Sequence, residues 1–252
     1  MSRPPMVRLD RLLANLGYGS RREVQHMVDV GLAVLDGARL KDAGQRIAVS
    51  AELPGRLLIN GRPLDPPAPL TLILNKPLGV VCSHKEAGRS VYELLPPRWR
   101  ARDPVLSTIG RLDAETSGML LITDDGGLLH RVISPRSHVA KRYHVTLDRP
   151  LKGDEAAVFA AGGLMLESET SPLAPALLEP LSATTAHLTI TEGRYHQVRR
   201  MFAATGNHVT ALCRDRIGAL ELPDDLAPGH WRVLADAELP AIFVRDARTQ
   251  QA

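Results

Sequence analysis

The chain has 252 residues, 44% hydrophobic but only 4% aromatic, so its length suits one large domain or two smaller ones with aliphatic cores. No apolar run approaches the roughly 18 residues of a membrane span, and the start lacks a signal-peptide apolar region, which predicts a soluble, cytoplasmic monomer without a membrane partner. Cys82 and Cys213 lie far apart without neighbouring ligand residues, so neither a zinc site nor a disulfide framework is expected.

The net charge of +3 is concentrated at the front of the chain. Residues 1–65 hold ten Lys and Arg against seven Asp and Glu, whereas the remainder is balanced. A second basic region spans residues 194–216, where Asp215 is the only acid. Its arginines are Arg194, Arg199, Arg200, Arg214 and Arg216. Such clusters favour a polyanionic partner.

Two short helices are predicted near the start. Leucines at i, i+3, i+4 and i+7 predict the first over residues 9–16, which Gly17 ends. Ser20 and Glu23 have the spacing of a capping box and predict the start of the second, which Gly31 closes. The second helix should bury valines and methionine and direct its arginines outward.

Two hairpins follow, over residues 33–40 with Asp-Gly at the turn and over residues 58–64. This order, helix, helix, hairpin, together with the sequences of residues 8–13 and 20–23, resembles the S4 RNA-binding domain. The resemblance implies that a helix face contacts RNA phosphates without reading the base sequence. The residues expected to do so are Arg8, Arg11, Arg21 and Arg22. On the pattern alone, a small subdomain with a solvated arginine face is an equal alternative.

From residue 70 onward, short strand-like runs alternate with turns and with fewer helices. The predicted strands are residues 72–74, 80–82, 119–123, 143–147 and 186–191, and the predicted helices are 127–133, 154–161 and 196–205, the last closed by Gly206. This balance predicts an α+β fold with a mostly antiparallel sheet. We therefore expect a front domain over residues 1–65, a proline-rich linker over 63–69, a large domain over 70–245 and a tail over 246–252.

One aspartate of the large domain is the first candidate for chemistry. Asp113 lies between Gly110 and the apolar run of residues 119–123, which places it on a loop at the mouth of a buried strand. A rigid sheet can aim a side chain held there. Taken alone, the pattern also fits an Asp that satisfies turn amides, which is the commoner role.

Four collinear segments extend this interpretation. They are residues 74–83, 110–126, 141–145 and 192–202. In this order they resemble the motifs of the pseudouridine synthases, in the branch that acts on ribosomal RNA. With the S4-like front, the resemblance covers nearly the whole chain. It implies a central mixed sheet with an active cleft across its middle.

The resemblance also implies roles for particular residues. Pseudouridine formation detaches uracil from C1′ of ribose and rejoins it through C5, which needs a nucleophile or base but no redox step, so no cofactor is expected. Asp113 would attack the sugar or remove a proton from it. Arg199 matches the residue that pairs with this aspartate, and a close opposite charge typically lowers a carboxyl pKa by ~1–3 units. Tyr143 matches the tyrosine that stacks on the target base, and Arg111 matches the residue that replaces the extruded base in the RNA.

Two lysines of the motifs, Lys76 and Lys141, are expected to contact RNA phosphates or to support the fold. Arg194 and Arg200 are expected to contact RNA. Adjacent residues diverge by about 100° around a helix, so at most one of Arg199 and Arg200 should face Asp113. His196 and Gln197 are expected to orient the last motif and have no chemical role assigned.

Three functions compete. A uridine isomerase is favoured because Asp113, Tyr143 and Arg199 are all present. A non-catalytic RNA-binding assembly factor would be expected to have lost one of them. A hydrolase that uses Asp113 with Glu115 explains neither the front domain nor the arginine cluster.

The RNA target is predicted from the last third of the chain. Residues 200–209, 216–218 and 225–229 resemble the enzymes of small-subunit rRNA. Relatives that act on the large subunit often carry extended basic tails, whereas this chain stops at Ala252. The expected partner is therefore 16S rRNA or a small-subunit assembly intermediate, with 23S rRNA as the alternative.

Overall fold

The computed structural model describes residues 3–83 and 87–244. The chain forms two compact units, the first made of Met1–Leu70 and Leu95–Ser107 and the second of Thr71–Leu94 and the chain from Thr108 onward. Two consecutive domains are predicted, whereas residues 95–107 pack with the first unit. The predicted tail, residues 246–252, lies outside the described residues.

The first unit contains small sheets and short helices. Its elements are β1 (Met6–Arg8), α1 (Leu9–Asn15), α2 (Arg21–Asp29), β2 (Ala33–Leu35), β3 (Ala38–Arg39), β4 (Arg46–Ala48), α3 (Leu53–Arg56), β5 (Leu57–Ile59), β6 (Arg62–Pro63) and a 3-10 helix (Pro97–Ala101). One antiparallel sheet has the order β3-β2-β5-β6, and β1 pairs with β4. Both predicted hairpins are confirmed. Their central residues all have positive φ, as tight hairpin turns with Asp-Gly or Asn-Gly require.

The two predicted helices are also confirmed, and their ends have the predicted causes. The amide of Ser20 donates to Glu23 Oε2 at 2.7 Å, and the amide of Glu23 donates to Ser20 Oγ at 3.4 Å, which completes the capping box. Gly17 and Gly31 follow the helices at φ of +83° and +78°. Leucines, valines and other apolar residues from these elements form the core of this unit.

Arg98 is one of the residues that attach the segment Leu95–Ser107 to the rest of the first unit. Arg98 Nη2 donates to Asp65 Oδ1 at 2.6 Å, and its guanidinium carbon lies 4.9 Å from the centre of the Tyr18 ring. Trp99 is buried. These contacts join residues distant in sequence, so no local pattern could indicate them.

The second unit is built on one large sheet. Its elements are β7 (Thr71–Lys76), β8 (Ser107–Thr108), β9 (Ser117–Thr123), α4 (Gly126–Ile133), β10 (Lys141–Leu147), α5 (Glu155–Ala160), β11 (Leu177–Pro180), β12 (Thr185–Ile190), α6 (Gln197–Ala204), β13 (Val209–Ile217), β14 (Leu220–Glu221), β15 (Trp231–Val233) and 3-10 helices at Val91–Leu94, Pro135–Ser137 and Asp236–Phe243. The strand order is β11-β12-β10-β13-β9-β7-β15. Only the β9 and β13 pair on this path is parallel, which confirms a mixed, mostly antiparallel sheet in an α+β fold.

The three predicted helices of the second unit are confirmed, as are four of the five predicted strands. The strand predicted at residues 80–82 is wrong, because Val81 forms only an isolated bridge with Ser90. Gly79 at φ +76° turns the chain there, and the apolar side chains of residues 80–82 are buried without a ladder. Within residues 3–83 and 87–244, no helix has the length and apolar character needed to cross a membrane.

Candidate active site

A cleft of about 820 Å³ opens in the second unit, between the loop before β9, strand β10 and the start of α6. It brings together six of the predicted site residues. These are Arg111, Asp113, Lys141, Tyr143, Arg194 and Arg199. Lys76 and Arg200 do not line it, and Arg8, Arg11, Arg21 and Arg22 belong to the first unit.

Asp113 begins a short loop whose backbone is held at every carbonyl. We call residues 113–116 the aspartate loop. The carbonyl of Asp113 accepts from the Thr116 amide at 3.0 Å, and that of Ala114 accepts from the Gly79 amide at 2.8 Å. The Asp113 side chain is about one-third exposed, at 38%. A rigid loop therefore presents a reachable carboxylate to the cleft.

Lys76 supports the aspartate loop from below. Its side chain is fully buried, and Nζ donates to Thr116 O at 2.8 Å, to Pro77 O at 3.0 Å and to Ala114 O at 3.4 Å. Burial lowers its pKa. Of the two roles expected for Lys76, these contacts favour support of the fold over an RNA contact, because three carbonyls enclose the buried ammonium group.

Arg199 also holds the aspartate loop but does not pair with the carboxylate. Its Nη2 donates to Glu115 O and its Nη1 to Val209 O, both at 2.9 Å. The predicted ion pair between Arg199 and Asp113 is not formed. The guanidinium instead joins α6, the first residue of β13 and the loop that carries Asp113.

The basic group that does lie against Asp113 is His196. Its Nε2 is 3.4 Å from Asp113 Oδ1, so the two form an ion pair when the imidazole is protonated. His196 precedes α6 in the left-handed region at φ +48° and ψ +31°, which is unusual for a non-glycine residue and typical of functional sites. The sequence indicated its contact with Asp113 only through its position immediately before the helix that contains Arg199.

Tyr143 and Arg214 form the inner wall of the cleft. Tyr143 is 8% exposed and Arg214 is 2% exposed, and the guanidinium carbon lies 6.0 Å from the centre of the tyrosine ring, at the limit of a cation–π contact. Arg214 Nε donates to Met119 O at 2.8 Å. Arg214 belongs to the basic cluster of residues 194–216, but no role was predicted for it. Side-chain alternation could have indicated that it faces the same side of its strand as the buried Leu212, two residues away.

Lys141 adds a second cation to this wall. Its Nζ donates to Val139 O at 3.1 Å. Burial, with a smaller contribution from Arg214, lowers the pKa of Lys141 to about 8. The ammonium group is therefore mostly charged at pH 7 and less so above pH 8.

Arg194 and Arg200 bind a neighbouring acidic loop. Arg200 Nη1 donates to Glu169 Oε1 at 2.7 Å and Arg194 Nη1 to Glu169 Oε2 at 3.2 Å, and both arginines also donate to backbone carbonyls of residues 167–172. These contacts lower the pKa of Glu169. The prediction that the two arginines contact RNA is not supported, because their donors are used within the protein.

The four candidate arginines of the first unit divide into two pairs. Arg8 and Arg21 both bind Asp10 Oδ2, at 3.0 and 2.6 Å, and these contacts lower the pKa of Asp10 to about 2. Arg11 and Arg22 are exposed, and their side chains form no ion pair within the described part of the chain. Arg11 and Arg22 are therefore the two of these four arginines that no carboxylate of the described residues binds.

Comparison with known proteins agrees with this geometry. Residues 71–204 match the family model described as RNA pseudouridylate synthase, and residues 7–53 match that of the S4 domain. The chain is 39% identical to ribosomal small subunit pseudouridine synthase A of Escherichia coli K12, over 94% of this chain and 100% of that protein. It is 38% identical to an uncharacterized RNA pseudouridine synthase of Bacillus subtilis, over 92% and 97%.

A solved structure described as a pseudouridylate synthase is also similar. It superposes with a TM-score of 0.66 at 34% identity, over 94% of this chain and 99% of that one. Sequence, fold and cleft thus agree along nearly the whole length. The chain belongs to the RNA pseudouridylate synthase family, with an S4 domain at its front.

Proposed function

We propose that this enzyme converts one uridine of 16S rRNA to pseudouridine in the cytoplasm, and that Asp113 is the group that reacts at the ribose. The observation that carries the proposal is the aspartate loop, whose four carbonyls are fixed by Lys76, Gly79, Arg199 and the Thr116 amide while the carboxylate faces the cleft. A carboxylate held in this way loses little freedom when a sugar binds.

The reaction needs only groups that the cleft supplies. The bond from C1′ to N1 breaks, a bond from C1′ to C5 forms, N1 gains a proton and C5 loses one, so no atom or electron is added. Asp113 would stabilise the separated ribose by attack at C1′ or by proton removal. Tyr143, on the inner wall, would stack on the detached uracil and keep it in the cleft while it turns.

The choice of RNA is supported by the relatives. The Escherichia coli protein and its counterpart in Yersinia pestis, 40% identical over 94% of this chain and 98% of that one, are both named for the small ribosomal subunit. Their similarity extends over the S4 domain as well as the cleft. We therefore propose 16S rRNA, free or in an assembly intermediate, as the substrate.

Purified protein incubated with unmodified 16S or 23S rRNA is expected to produce one pseudouridine in 16S rRNA and none in 23S rRNA. Mass-spectrometric mapping locates the product, and reactions with and without small-subunit proteins distinguish free RNA from an assembly intermediate. A pseudouridine found only in 23S rRNA would contradict the proposed substrate and leave the chemistry intact. Product in neither RNA would contradict both.

We also propose that Arg11 and Arg22 contact RNA phosphates. The double variant Arg11→Ala/Arg22→Ala is expected to weaken 16S binding and to reduce the salt slope, d log Kd/d log[salt], by about 1 to 2, since each phosphate contact contributes ~0.7–0.9. Arg56→Ala is the matched control, because Asp36 already neutralises Arg56 at 2.6 Å. If the control reduces the slope as much as the double variant does, the helix face is not the contact surface.

A further inference from the structure

We propose that Tyr195, supported by His196, is a stacking platform for an unpaired RNA base next to the target uridine. This inference rests on the proposed function and adds a contact to it. It assigns the outer rim of the cleft to a neighbouring nucleotide, whereas Tyr143 on the inner wall takes the target base.

The Tyr195 side chain is mostly exposed to solvent and does not contribute to the core. It is 75% exposed, more than any other large hydrophobic side chain in the described ranges, and it lines the cleft. One face of its ring is stacked on the His196 ring, with centroids 3.9 Å apart and planes inclined by 16°. The high exposure leaves the opposite face open to a ligand.

Hydrogen bonds within the protein hold the backbone that carries the platform. The Tyr195 carbonyl accepts from Arg200 Nη1 at 3.1 Å, and the Arg194 amide before it donates to Gln197 Oε1 at 2.9 Å. His196 joins the platform to Asp113 at 3.4 Å. An aromatic ring held in this way loses little conformational entropy when a second ring stacks on it.

The chemistry of the cleft identifies the occupant as a base. Basic side chains line the cleft, among them Lys141 and Arg111, and a positively charged cleft suits a polyanionic RNA. Every nucleobase has an aromatic face, and stacking on Tyr is a usual way to hold unpaired RNA. Tyr143 is only 8% exposed and lies in the inner wall, whereas Tyr195 is 75% exposed and projects from the cleft lining. The rim therefore fits the next base along the strand.

The test is a double-mutant cycle that combines a substitution in the protein with removal of one base from the RNA. The RNA is a 16S fragment that contains the mapped uridine, either intact or with one flanking nucleotide made abasic. We expect Tyr195→Ala to raise Kd for the intact RNA by roughly 5- to 100-fold, and by less than about 2-fold when the stacked neighbour is abasic. Tyr195→Phe should retain wild-type affinity, and Leu181→Ala, an exposed apolar side chain in the turn after β11, is the matched control.

Three outcomes would overturn the inference. An equal loss on intact RNA and on both abasic RNAs would mean that Tyr195 acts only through His196 and Asp113. An unchanged Kd for intact RNA would mean that the ring contacts nothing there. A loss seen only when small-subunit proteins are present would assign the ring to a protein contact. Turnover of the intact RNA by the wild-type enzyme tests the proposed function separately.

Discussion

Asp113→Asn is expected to abolish pseudouridine formation, lowering the single-turnover rate at least about 10³-fold, because the amide can neither attack the sugar nor accept its proton. The substitution keeps the shape of the side chain and leaves the backbone contacts of the aspartate loop intact. RNA affinity should therefore change by less than about 3-fold, since phosphate contacts dominate binding. Rates come from rapid mixing of excess enzyme with labelled RNA, and affinities from filter binding.

Glu115→Gln is the matched control for this experiment. Glu115 lies in the same loop and is exposed, and its contact with Arg199 uses only the backbone carbonyl. Its activity should stay near that of the wild type. If Glu115→Gln is as damaging as Asp113→Asn, the two carboxylates work as a pair and the single-aspartate mechanism is wrong.

Gly118→Ala is expected to cost about 3–5 kcal/mol of the free energy of unfolding and to remove activity. Gly118 has a φ of +102°, and an added Cβ would lie 2.2 Å from Arg214 O and 2.7 Å from Cys213 Sγ. Backbone strain accounts for ~1–3 kcal/mol and overpacking for a similar amount. Strand β9 would have to separate from β13, which moves the aspartate loop away from Arg214. Urea denaturation measures the stability.

Gly153→Ala is the control that separates backbone strain from overpacking as causes of the destabilisation. Gly153 has nearly the same φ, +103°, but an added Cβ would have no atom within 4 Å. This control should lose only the strain energy and should keep its activity. Equal destabilisation by the two substitutions would show that the close approach of β9 and β13 contributes nothing.

Local features could be predicted from the sequence because their causes are local. The capping box at Ser20, the glycines that end α1 and α2, and the two tight hairpin turns depend on neighbouring residues. The motif around Asp113 likewise indicated a loop before a buried strand. Helix phasing predicted that at most one of Arg199 and Arg200 faces Asp113, and the two guanidiniums bind different parts of the protein.

The contacts within the site could not be predicted, because they depend on tertiary packing. Whether the basic side chain beside Asp113 is Arg199 or His196 is decided by where the chain turns before α6, and His196 adopts a left-handed conformation there. Lys76 has the positive charge of a phosphate ligand, yet its position under the aspartate loop makes it a hydrogen-bond donor to the backbone of that loop. Strand β13 was missed because it includes Arg214 and other polar residues.

We propose that the Asp113 cleft modifies one uridine of small-subunit rRNA. The most direct measurement maps pseudouridine in the rRNA of cells that lack this protein and are complemented with the wild type, with Asp113→Asn or with Glu115→Gln. We expect one 16S position to lose pseudouridine in the deletion, to regain it with the wild type and Glu115→Gln, and to stay unmodified with Asp113→Asn at equal expression. Restoration of that position by Asp113→Asn, or a 16S map unchanged by the deletion, would contradict the account.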